Sequence, residues 1–362
     1  MADESYIQLT LEIARRGEGS VSPNPLVGCV ITKDNKIIGA GYHKKFGEEH
    51  AEVNAINSAT ESLEGSTLYV NLEPCSHFGH TPPCVDRIIQ EKIKHVVIGT
   101  LDINPVVSGN GVRKLKKAGI DIKVGVLEKE CIELNKFFFK YITQKIPYVT
   151  LKAAQTLDGM IADKEYNSGW ISSIESRKYV HTLRSKYDAV LIGSQTAKKD
   201  NPQLTVRMVE GRNPFRIVLD SKLKLNTDLK LFTKNSDKKT ILVTTFENQE
   251  KKNKIKKLQA LGVRILFVRK NNRGRVHLKS LLKKLAQLEI TSIIVEGGGK
   301  IYSSFIRQNL FDDILLFISP KILGDGIQTF PECGVKKLKD AYKLKIKRSE
   351  SIGEDILLLL TK

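Results

Sequence analysis

Residues 72–84 read LEPCSHFGHTPPC, and residues 50–52 upstream read HAE. Together the two segments offer His50, Cys75 and Cys84 as metal ligands. Zinc prefers thiolate and imidazole ligands, and a catalytic zinc site keeps three protein ligands and one open position. We therefore predict one zinc ion (Zn²⁺) per chain, held by these three residues, with its fourth position open.

Glu52 lies two residues after the predicted ligand His50, at the start of the same predicted helix. A carboxylate there can face the metal cavity without binding the metal, and it can carry protons during a reaction. Zinc makes water nucleophilic near neutral pH. The pattern is typical of zinc-dependent nucleobase deaminases, although those have two residues between the cysteines and this chain has eight. We predict hydrolytic deamination with Glu52 as the catalytic proton shuttle.

A closed, purely structural zinc site is the alternative, with His77 or His80 as a fourth ligand and no task for Glu52. The remaining cysteines lie in apolar segments and are predicted to be packed core residues: Cys29, Cys131 and Cys333. Five cysteines in 362 residues do not form a disulfide framework. A reducing, cytoplasmic location with one metal site fits them better.

Length and composition limit the class of protein. A chain of 362 residues suggests two domains. Its start lacks a secretory signal, and no apolar run approaches the roughly 20 residues of a membrane helix. The net charge of +19 invites a nucleic-acid partner. However, lysine-rich stretches such as Lys251–Lys257 and Lys336–Lys347 contain only one aromatic residue between them, Tyr342, and so lack a series for base stacking. We predict a solvated basic surface, phosphorylated small-molecule substrates, and neither a nucleic-acid nor a membrane partner.

The first half alternates apolar strand-like runs with amphipathic helical segments, which indicates an α/β fold with a mixed sheet. We predict helices over residues 5–16, 49–58, 83–91, 111–118 and 128–143. We predict strands over residues 26–32, 36–42, 67–71, 95–99 and 121–124, the first two forming a hairpin that turns at Asp34-Asn35.

A domain boundary is predicted at Gln144–Pro147, where a helix stops and Pro147 opens a strand. The second half repeats the strand–helix alternation. Two strands run into glycine turns that open helices, at Gly193-Ser194 and at Gly297–Gly299, as in phosphate-binding α/β domains. Strands are predicted over residues 148–153, 189–192, 215–219, 240–244, 264–268, 292–295, 313–318 and 355–360.

Several segments resemble the bifunctional riboflavin-biosynthesis deaminase/reductase family. In the first half these are PNPLVG at Pro23–Gly28, the HAE and LEPCSHFGHTPPC segments, whose cysteine spacing is part of that family's pattern, and Asn104-Pro105, Ser108-Gly109 and Gly111. In the second half they are Lys152, Thr156–Gly159, Trp170–Ser172, Leu183-Arg184, Gly193, Asp200–Pro202 and Glu296–Gly298. The resemblance covers almost the entire chain.

The resemblance implies a cytidine-deaminase-like mixed-sheet domain over residues 1–145 and a dihydrofolate-reductase-like domain over residues 146–362. It also implies two consecutive reactions. A diaminopyrimidinone that carries a ribosylamino 5′-phosphate first loses its ring amino group as ammonia. The ribosyl side chain is then reduced to ribityl, with NADPH as the hydride donor. A homo-oligomer is implied as well.

The substrate contacts implied by the resemblance fall in both domains. They are Asn24, His43 and His80 in the first, and Ser168, Arg184, Leu204, Arg207 and Glu296 in the second. His80 stands where the family usually has arginine or lysine. Asn24 could instead be a turn residue, His43 a strand-edge histidine, and each arginine one half of a surface ion pair. Lys152 and Asp158 are candidates to orient the ribose.

The cofactor contacts implied by the resemblance are Ala154, Trp170, Thr196, Asp200, Ser221, Gly298, Gly299, Lys300, Ile301, Tyr302, Ser303 and Ser304. Glycines after a strand let the backbone approach a pyrophosphate, although a simple tight turn would have the same sequence. Ser221 and Lys222 could bind a 2′-phosphate, whereas Asp220 would disfavour it. The residues alone therefore leave NADPH and NADH open.

Two other classes of protein share some of these features. A nucleic-acid-editing deaminase would explain the positive charge, and it predicts a clustered basic face with stacking aromatic residues. A non-enzymatic zinc-stabilised module predicts a fully coordinated metal and no role for Glu52. The glycine turns in the second half and the single tryptophan argue against the first of these.

Overall fold

The computed structural model describes residues 3–79, 81–104, 108–167, 169 and 171–362. The chain divides into two compact units, residues 1–145 and 146–362. Each unit is described by itself. Within the described ranges, none of the helices combines the length and the apolar composition that crossing a bilayer demands.

One mixed sheet forms the centre of the first unit, with the strand order β2-β1-β3-β4-β5. Its strands are β1 (Gly28–Lys33), β2 (Lys36–Tyr42), β3 (Thr67–Leu72), β4 (His95–Thr100) and β5 (Asp121–Val124). β1 is antiparallel to β2 and β3, whereas β3, β4 and β5 are parallel. Asp34 and Asn35 both have positive φ, as a tight hairpin turn requires. The predicted hairpin and mixed sheet are confirmed.

Helices cover both faces of this sheet. They are α1 (Asp3–Ala14), α2 (Ala51–Asn57), α3 (Cys84–Gln90), α4 (Asn110–Lys117), α5 (Glu128–Leu134) and α6 (Lys136–Gln144). On one face Ala55 of α2 and Ile88 of α3 pack with Val70 and Ile98 of the sheet. On the other face α1 packs through Ile7. Because α2 and α3 share one face, their first residues are brought close together.

The helix predicted over residues 128–143 is wrong in one respect, because it is interrupted at Asn135. This residue has φ −103° and ψ 18°, outside the helical range, and it separates α5 from α6. Its side chain pairs with the backbone of Leu26, which lies 109 residues away in sequence. Periodicity along the chain does not reveal such a tertiary contact.

A nine-stranded sheet forms the centre of the second unit, with the order β11-β10-β9-β8-β12-β6-β13-β16-β15. It is parallel from β11 to β13, and β16 and β15 add antiparallel pairs at one edge. The strands are β6 (Tyr148–Thr156), β8 (Ala189–Gly193), β9 (Phe215–Leu219), β10 (Thr240–Thr245), β11 (Arg264–Val268), β12 (Ser292–Val295), β13 (Asp313–Ser319), β15 (Lys345–Ile352) and β16 (Asp355–Thr361). A separate antiparallel pair is formed by β7 (Met160–Ala162) and β14 (Ile327–Gln328).

The helices of the second unit are α7 (Ile174–Lys186), α8 (Ser194–Asp200), α9 (Lys230–Thr233), α10 (Lys252–Ala260), α11 (Leu278–Ala286) and α12 (Gly299–Arg307). Both predicted glycine turns are confirmed, since α8 follows β8 and α12 follows β12. Gly298 has φ +66°, a conformation that favours glycine. Because β8 and β12 are parallel neighbours, both helices begin at the carboxyl ends of the strands, on the same side of the sheet's centre.

Three strands lack the pattern by which the others are predicted, namely β7, β14 and β15. β15 has the sequence KIKRSESI and is exposed along most of its length. An edge strand with one partner needs no buried face, so its side chains do not alternate between apolar and polar. β7 and β14 are too short for periodicity to show.

Candidate active sites

The three predicted zinc ligands lie together in the first unit. His50 Nδ1 lies 3.5 Å from Cys75 Sγ and 3.4 Å from Cys84 Sγ. All three donor atoms lie within 4.8 Å of one another. Among the described residues, no further histidine, cysteine or carboxylate belongs to this cluster. One imidazole and two thiolates at these separations fit a tetrahedral zinc ion with one position left for a non-protein ligand.

Secondary structure places each ligand. His50 is the residue before α2, Cys84 is the first residue of α3, and Cys75 follows β3. The Cys84 N–H donates to Cys75 Sγ at 3.3 Å, so a hydrogen bond holds the two cysteines close together. The hydrogen bond between the two thiols lowers the pKa of Cys75, with His50 acting in the same direction, and raises the pKa of Cys84, because the two sulfurs share one proton. A thiolate is the form that binds zinc.

Glu52 lies in the first turn of α2 and is 3% exposed. Burial raises the pKa of its carboxyl to about 7, a shift that the neighbouring His50 partly opposes. A carboxyl with such a pKa can both accept and release a proton at neutral pH. Glu52 lies beside the ligand cluster, where a proton shuttle would have to be.

Asn24 and His43 are brought together next to this cluster. Asn24 Nδ2 lies 3.1 Å from His43 Nε2, and His43 Nδ1 lies 3.0 Å from the carbonyl oxygen of Glu49. A carbonyl oxygen only accepts, so Nδ1 carries the hydrogen and Nε2 accepts from Asn24. His43 also stacks edge-on to His50, with ring centroids 5.3 Å apart. His43 is buried, which lowers its pKa and favours this neutral form.

The closed zinc site gains no support from His77, which is exposed and outside the ligand cluster. His80, the other candidate fourth ligand and a predicted substrate contact, lies outside the described residues. Cys29 and Cys131 are buried core residues, and Cys333 packs against the core of the second unit, as predicted.

Glu73 has a role that was not predicted. Its buried carboxylate accepts hydrogen bonds from the backbone N–H groups of Asp102, Gly109 and Val112. These bonds hold the start of α4 against the segment that carries Cys75. At Gly111 an added Cβ would lie 2.3 Å from the carbonyl oxygen of Pro74, so only glycine permits this approach. The carboxylate's position beside Pro74-Cys75 was visible in sequence, but its partners lie about 30 residues away.

A cavity of about 560 Å³ opens in the second unit at the carboxyl ends of β8 and β12, where α8 and α12 begin. Many predicted cofactor contacts line it, namely Ala154, Thr196, Asp200, Gly298, Gly299, Lys300, Ile301 and Tyr302. Lys152 and Glu296 line it as well. Trp170 and Ser168 lie outside the described residues. Ser303 is different, because it is buried and its hydroxyl donates to the carbonyl oxygens of Gly299 and Pro331.

Arg184 and Glu296, both predicted substrate contacts, form an ion pair with each other. Arg184 Nε and Nη2 each donate to a carboxylate oxygen of Glu296 at 2.7 Å. The two side chains are 11% and 8% exposed, so the pair is nearly buried. Burial lowers the pKa of Lys152, and the charge of the nearby Glu296 partly opposes that shift. Asp158, in contrast, accepts hydrogen bonds from Leu323 N–H and Gly324 N–H and so holds a loop.

Leu204 and Arg207 lie on a segment that side chains hold in place. Leu204 is buried and has φ +56°, an unusual conformation for leucine. Arg184 Nη1 donates to the Thr205 carbonyl oxygen at 3.4 Å, and the Arg207 N–H donates to His181 Nδ1 at 3.1 Å. The exposed Arg207 side chain is therefore fixed at its base. His181 was not predicted, although it lies three residues before Arg184 on the same helical face.

A second cavity of about 810 Å³ shares Gly193, Lys300 and Ile301 with the first. Ser221 and Ser304 line it, as do the basic residues Lys198, Lys222, Lys224 and Arg275. Asp220 is buried, and its carboxylate accepts from the Leu225 N–H at 2.8 Å. The shared residues make the two cavities neighbours, and the Gly297–Gly299 turn, which suits a pyrophosphate, lines the first of them.

Comparison with known proteins shows the family of each half of the chain. The family model of the RibD C-terminal domain matches residues 147–358, and that of the cytidine and deoxycytidylate deaminase zinc-binding region matches residues 1–100. The riboflavin biosynthesis protein RibD of Aquifex aeolicus is 46% identical over 98% of this chain and 97% of its own length. The protein of the same name from Escherichia coli is 37% identical, covering 99% of each chain.

Solved structures of similar proteins share the fold of the whole chain. The diaminohydroxyphosphoribosylaminopyrimidine deaminase/5-amino-6-(5-phosphoribosylamino)uracil reductase of Thermotoga maritima superposes with a TM-score of 0.88 at 41% identity, covering 99% of this chain and 98% of its own. RibD of Acinetobacter baumannii (form 1) gives a TM-score of 0.89 at 33% identity, with the same coverage.

The fold and the two sites define a zinc-binding deaminase joined to a reductase with a dihydrofolate-reductase-like fold. The chain belongs to the RibD family of bifunctional deaminase/reductases. It is an enzyme of riboflavin biosynthesis, and the prediction of the family is confirmed.

Proposed function

We propose that residues 1–145 are the deaminase domain, that residues 146–362 are the NADPH-dependent reductase domain, and that they act in that order. The first removes the ring amino group of a diaminopyrimidinone ribosylamino 5′-phosphate, and the second reduces the ribosyl side chain. The observation that carries the proposal is the cluster of His50, Cys75 and Cys84 beside the buried carboxyl of Glu52.

In the deaminase domain, His50, Cys75 and Cys84 would hold one zinc ion. When bound, zinc supplies the Lewis acidity that makes water nucleophilic at neutral pH. Glu52 would accept one proton from the attacking water and give it to the ring nitrogen. It would then accept the remaining proton of that oxygen and give it to the amino group, which leaves as ammonia. Its raised pKa of about 7 suits both transfers. Asn24 and His43 bind the pyrimidine, and the resemblance to the family assigns His80 to the 5′-phosphate.

In the reductase domain, Arg207 and Ser168 bind the phosphorylated substrate, and Leu204 packs against it. Glu296 lines the cavity beside Lys152, and Arg184 pairs with the carboxylate of Glu296. A lysine with a lowered pKa at this place can donate a proton while the cofactor supplies the hydride. Ala154, Trp170, Thr196, Asp200, Ser221 and the turn from Gly298 to Ser304 would hold the cofactor.

A preference for NADPH is supported by the charges at the Ser221 end of the cleft. Lys222, Lys224 and Arg275 line that end and offer cations to a 2′-phosphate. The carboxylate of Asp220 points into its own turn, where it accepts from the Leu225 N–H. We therefore expect a KM for NADPH at least about tenfold below that for NADH, since one phosphate–cation contact contributes about that factor.

The same proposal covers partners and location. The substrates are phosphorylated small molecules, and no nucleic-acid or membrane partner is invoked. A homo-oligomer is inferred from the resemblance to the family, and light scattering on the purified protein would measure its mass. A cytoplasmic location is supported by the five cysteines, which are all free thiols.

Metal analysis of two cysteine variants tests the metal site. Cys84→Ala should reduce zinc from one ion per chain to far less, because two ligands hold zinc weakly. Cys29→Ala is the matched control, since Cys29 is equally buried but lies outside the cluster. Stoichiometric zinc in Cys84→Ala would remove Cys84 from the ligand set.

A further inference from the structure

Two buried asparagines hold the loop of residues 23–28, here named the Asn24 loop. Asn135 pairs with both backbone groups of Leu26: its Oδ1 accepts from Leu26 N–H at 2.7 Å, and its Nδ2 donates to Leu26 C=O at 2.9 Å. Asn135 is 2% exposed. One side-chain amide thus satisfies both backbone groups of Leu26, next to Val27, whose carbonyl oxygen accepts from the His43 N–H.

Asn71, at the end of β3, holds the same loop from the other side. Its Oδ1 accepts from Gly28 N–H at 2.8 Å, and its Nδ2 donates to Leu26 C=O at 3.0 Å. Asn71 is fully buried. The carbonyl oxygen of Leu26 therefore accepts two amide hydrogen bonds. Three bonds in all fix the backbone of Leu26, and a fourth fixes Gly28.

The Asn24 loop is also held at its other points. Asn24 N–H donates to the Val21 carbonyl oxygen at 2.9 Å, and the Asn24 side chain donates to His43. At Gly28 an added Cβ would lie 2.1 Å from the carbonyl oxygen of Thr10, so the loop lies directly on α1. With these contacts, the Asn24 side chain has little freedom to move relative to the zinc-ligand cluster.

The position of Asn135 indicates that this contact is more than packing. Its neighbours on both sides are helical, and the helix is interrupted at this one residue. An alanine would let α5 and α6 run on as one helix, since alanine favours helix and asparagine does not. Sequences that break a local rule in this way commonly do so at functional sites.

We propose that Asn71 and Asn135 are positioning residues for deamination, which fix Leu26 so that Asn24 meets the pyrimidine ring. The inference rests on the proposed contact between Asn24 and the substrate. Neither asparagine touches the reacting atoms. Their effect passes through the Asn24 loop, so it should be seen in substrate recognition rather than in proton transfer by Glu52 or in metal binding.

A double-mutant cycle on the full-length zinc-loaded enzyme tests the proposal, with Asn24→Ala, Asn135→Ala and the double variant. Deaminase KM and kcat, zinc content, and reductase activity on the same chain are measured for each. We expect Asn135→Ala to raise the deaminase KM about tenfold with kcat within about twofold, because a displaced contact loses binding common to ground and transition states. Zinc and reductase activity should be unchanged.

The cycle separates positioning from a general structural role. If Asn135 acts through Asn24, its substitution should change KM less than about twofold once Asn24 is alanine. Asn235→Ala is the matched control, because Asn235 is a buried asparagine that pairs with the Thr240 N–H and the Leu261 C=O in the other unit. It should leave the deaminase KM unchanged. Asn135→Asp keeps an acceptor for Leu26 N–H and serves if the alanine variant does not fold, with a smaller rise in KM expected.

Four results would overturn the proposal. An equal KM effect of Asn135→Ala with and without Asn24 would mean that it does not act through that residue. A fall in zinc content and kcat with unchanged KM would show a structural role alone. An unchanged KM in Asn24→Ala would refute the proposed substrate contact and the inference with it. A rise in KM for Asn24→Ala but not for either Asn135 variant would sink the positioning role and leave the contact standing.

Discussion

Glu52 is a carboxyl whose surroundings set its proton affinity. It is buried beside three metal ligands, and burial raises its pKa to about 7. A solvent-exposed glutamate would be fully ionised at neutral pH and a poor proton donor. This carboxyl therefore suits the proposed proton shuttle, and His50, Cys75 and Cys84 are left to hold the metal.

Glu52→Gln should keep the fold and one zinc per chain while lowering the deaminase kcat by about 10²–10⁴-fold, the usual contribution of a general acid–base group. Ammonia release and metal content are the two measurements. The reductase activity of the same sample, fed the deaminated intermediate, is the control for folding. Deamination at the unsubstituted rate would refute the shuttle role.

Arg184→Ala should damage the second unit selectively. It leaves the carboxylate of Glu296 buried without its partner, which typically costs about 3–5 kcal/mol of unfolding free energy. The reductase KM for the phosphorylated substrate should rise and deaminase activity should persist. Fluorescence of the chain's single tryptophan, Trp170, reports unfolding of the second unit in urea. Equal loss of both activities would contradict a role confined to the reductase.

The element α7 carries His181 and Arg184 on one face, and its contacts make stability depend on pH. Burial, with the charges of Arg184 and Arg207, lowers the pKa of His181 to about 4. The imidazole must stay neutral, because Nδ1 accepts from the Arg207 N–H. An unfolded histidine titrates near 6.5. Between these values the unfolded chain binds a proton that the folded chain does not, so stability falls as pH falls.

His181→Asn should reduce this loss, because an asparagine oxygen can accept from the same N–H without titrating. The urea midpoint of the second unit, followed by Trp170 fluorescence at pH 7.5 and pH 5, should drop less in the variant than in the unsubstituted protein. The first unit's zinc content serves as the control for folding. Parallel pH dependence in the two proteins would show that His181 does not carry the effect.

At the level of elements, sequence predicts what periodicity and local motifs encode. Thirteen strands, the hairpin at Asp34-Asn35 and the two glycine turns were predicted, each from residues adjacent in the chain. The zinc ligands were predicted because they lie in two short motifs, HAE and LEPCSHFGHTPPC. The break at Asn135 and the roles of Glu73 and His181 were not, because each depends on a partner brought near only by the tertiary fold. β15 was missed because an edge strand need not bury one face.

Across the whole molecule, two units with separate hydrophobic cores carry two chemistries. Residues 1–145 expressed alone should therefore fold, bind one zinc ion and release ammonia from the substrate, since the core and all predicted deaminase residues lie within that range. Metal analysis and an ammonia assay check this. The fragment carrying Cys84→Ala is the control. A fragment that folds and binds zinc but does not deaminate would show that the deaminase site needs the second unit.

The most direct test of the account is a coupled assay on the full-length zinc-loaded protein. The diaminopyrimidinone ribosylamino phosphate is supplied with NADPH, and ammonia release and loss of nicotinamide absorbance are followed together. We predict ammonia first and NADPH oxidation after a lag, with both signals abolished in Glu52→Gln and oxidation restored when that variant is given the deaminated intermediate. Oxidation of NADPH without prior ammonia release, or neither signal from zinc-replete protein, would contradict the assignment of two consecutive reactions to this chain.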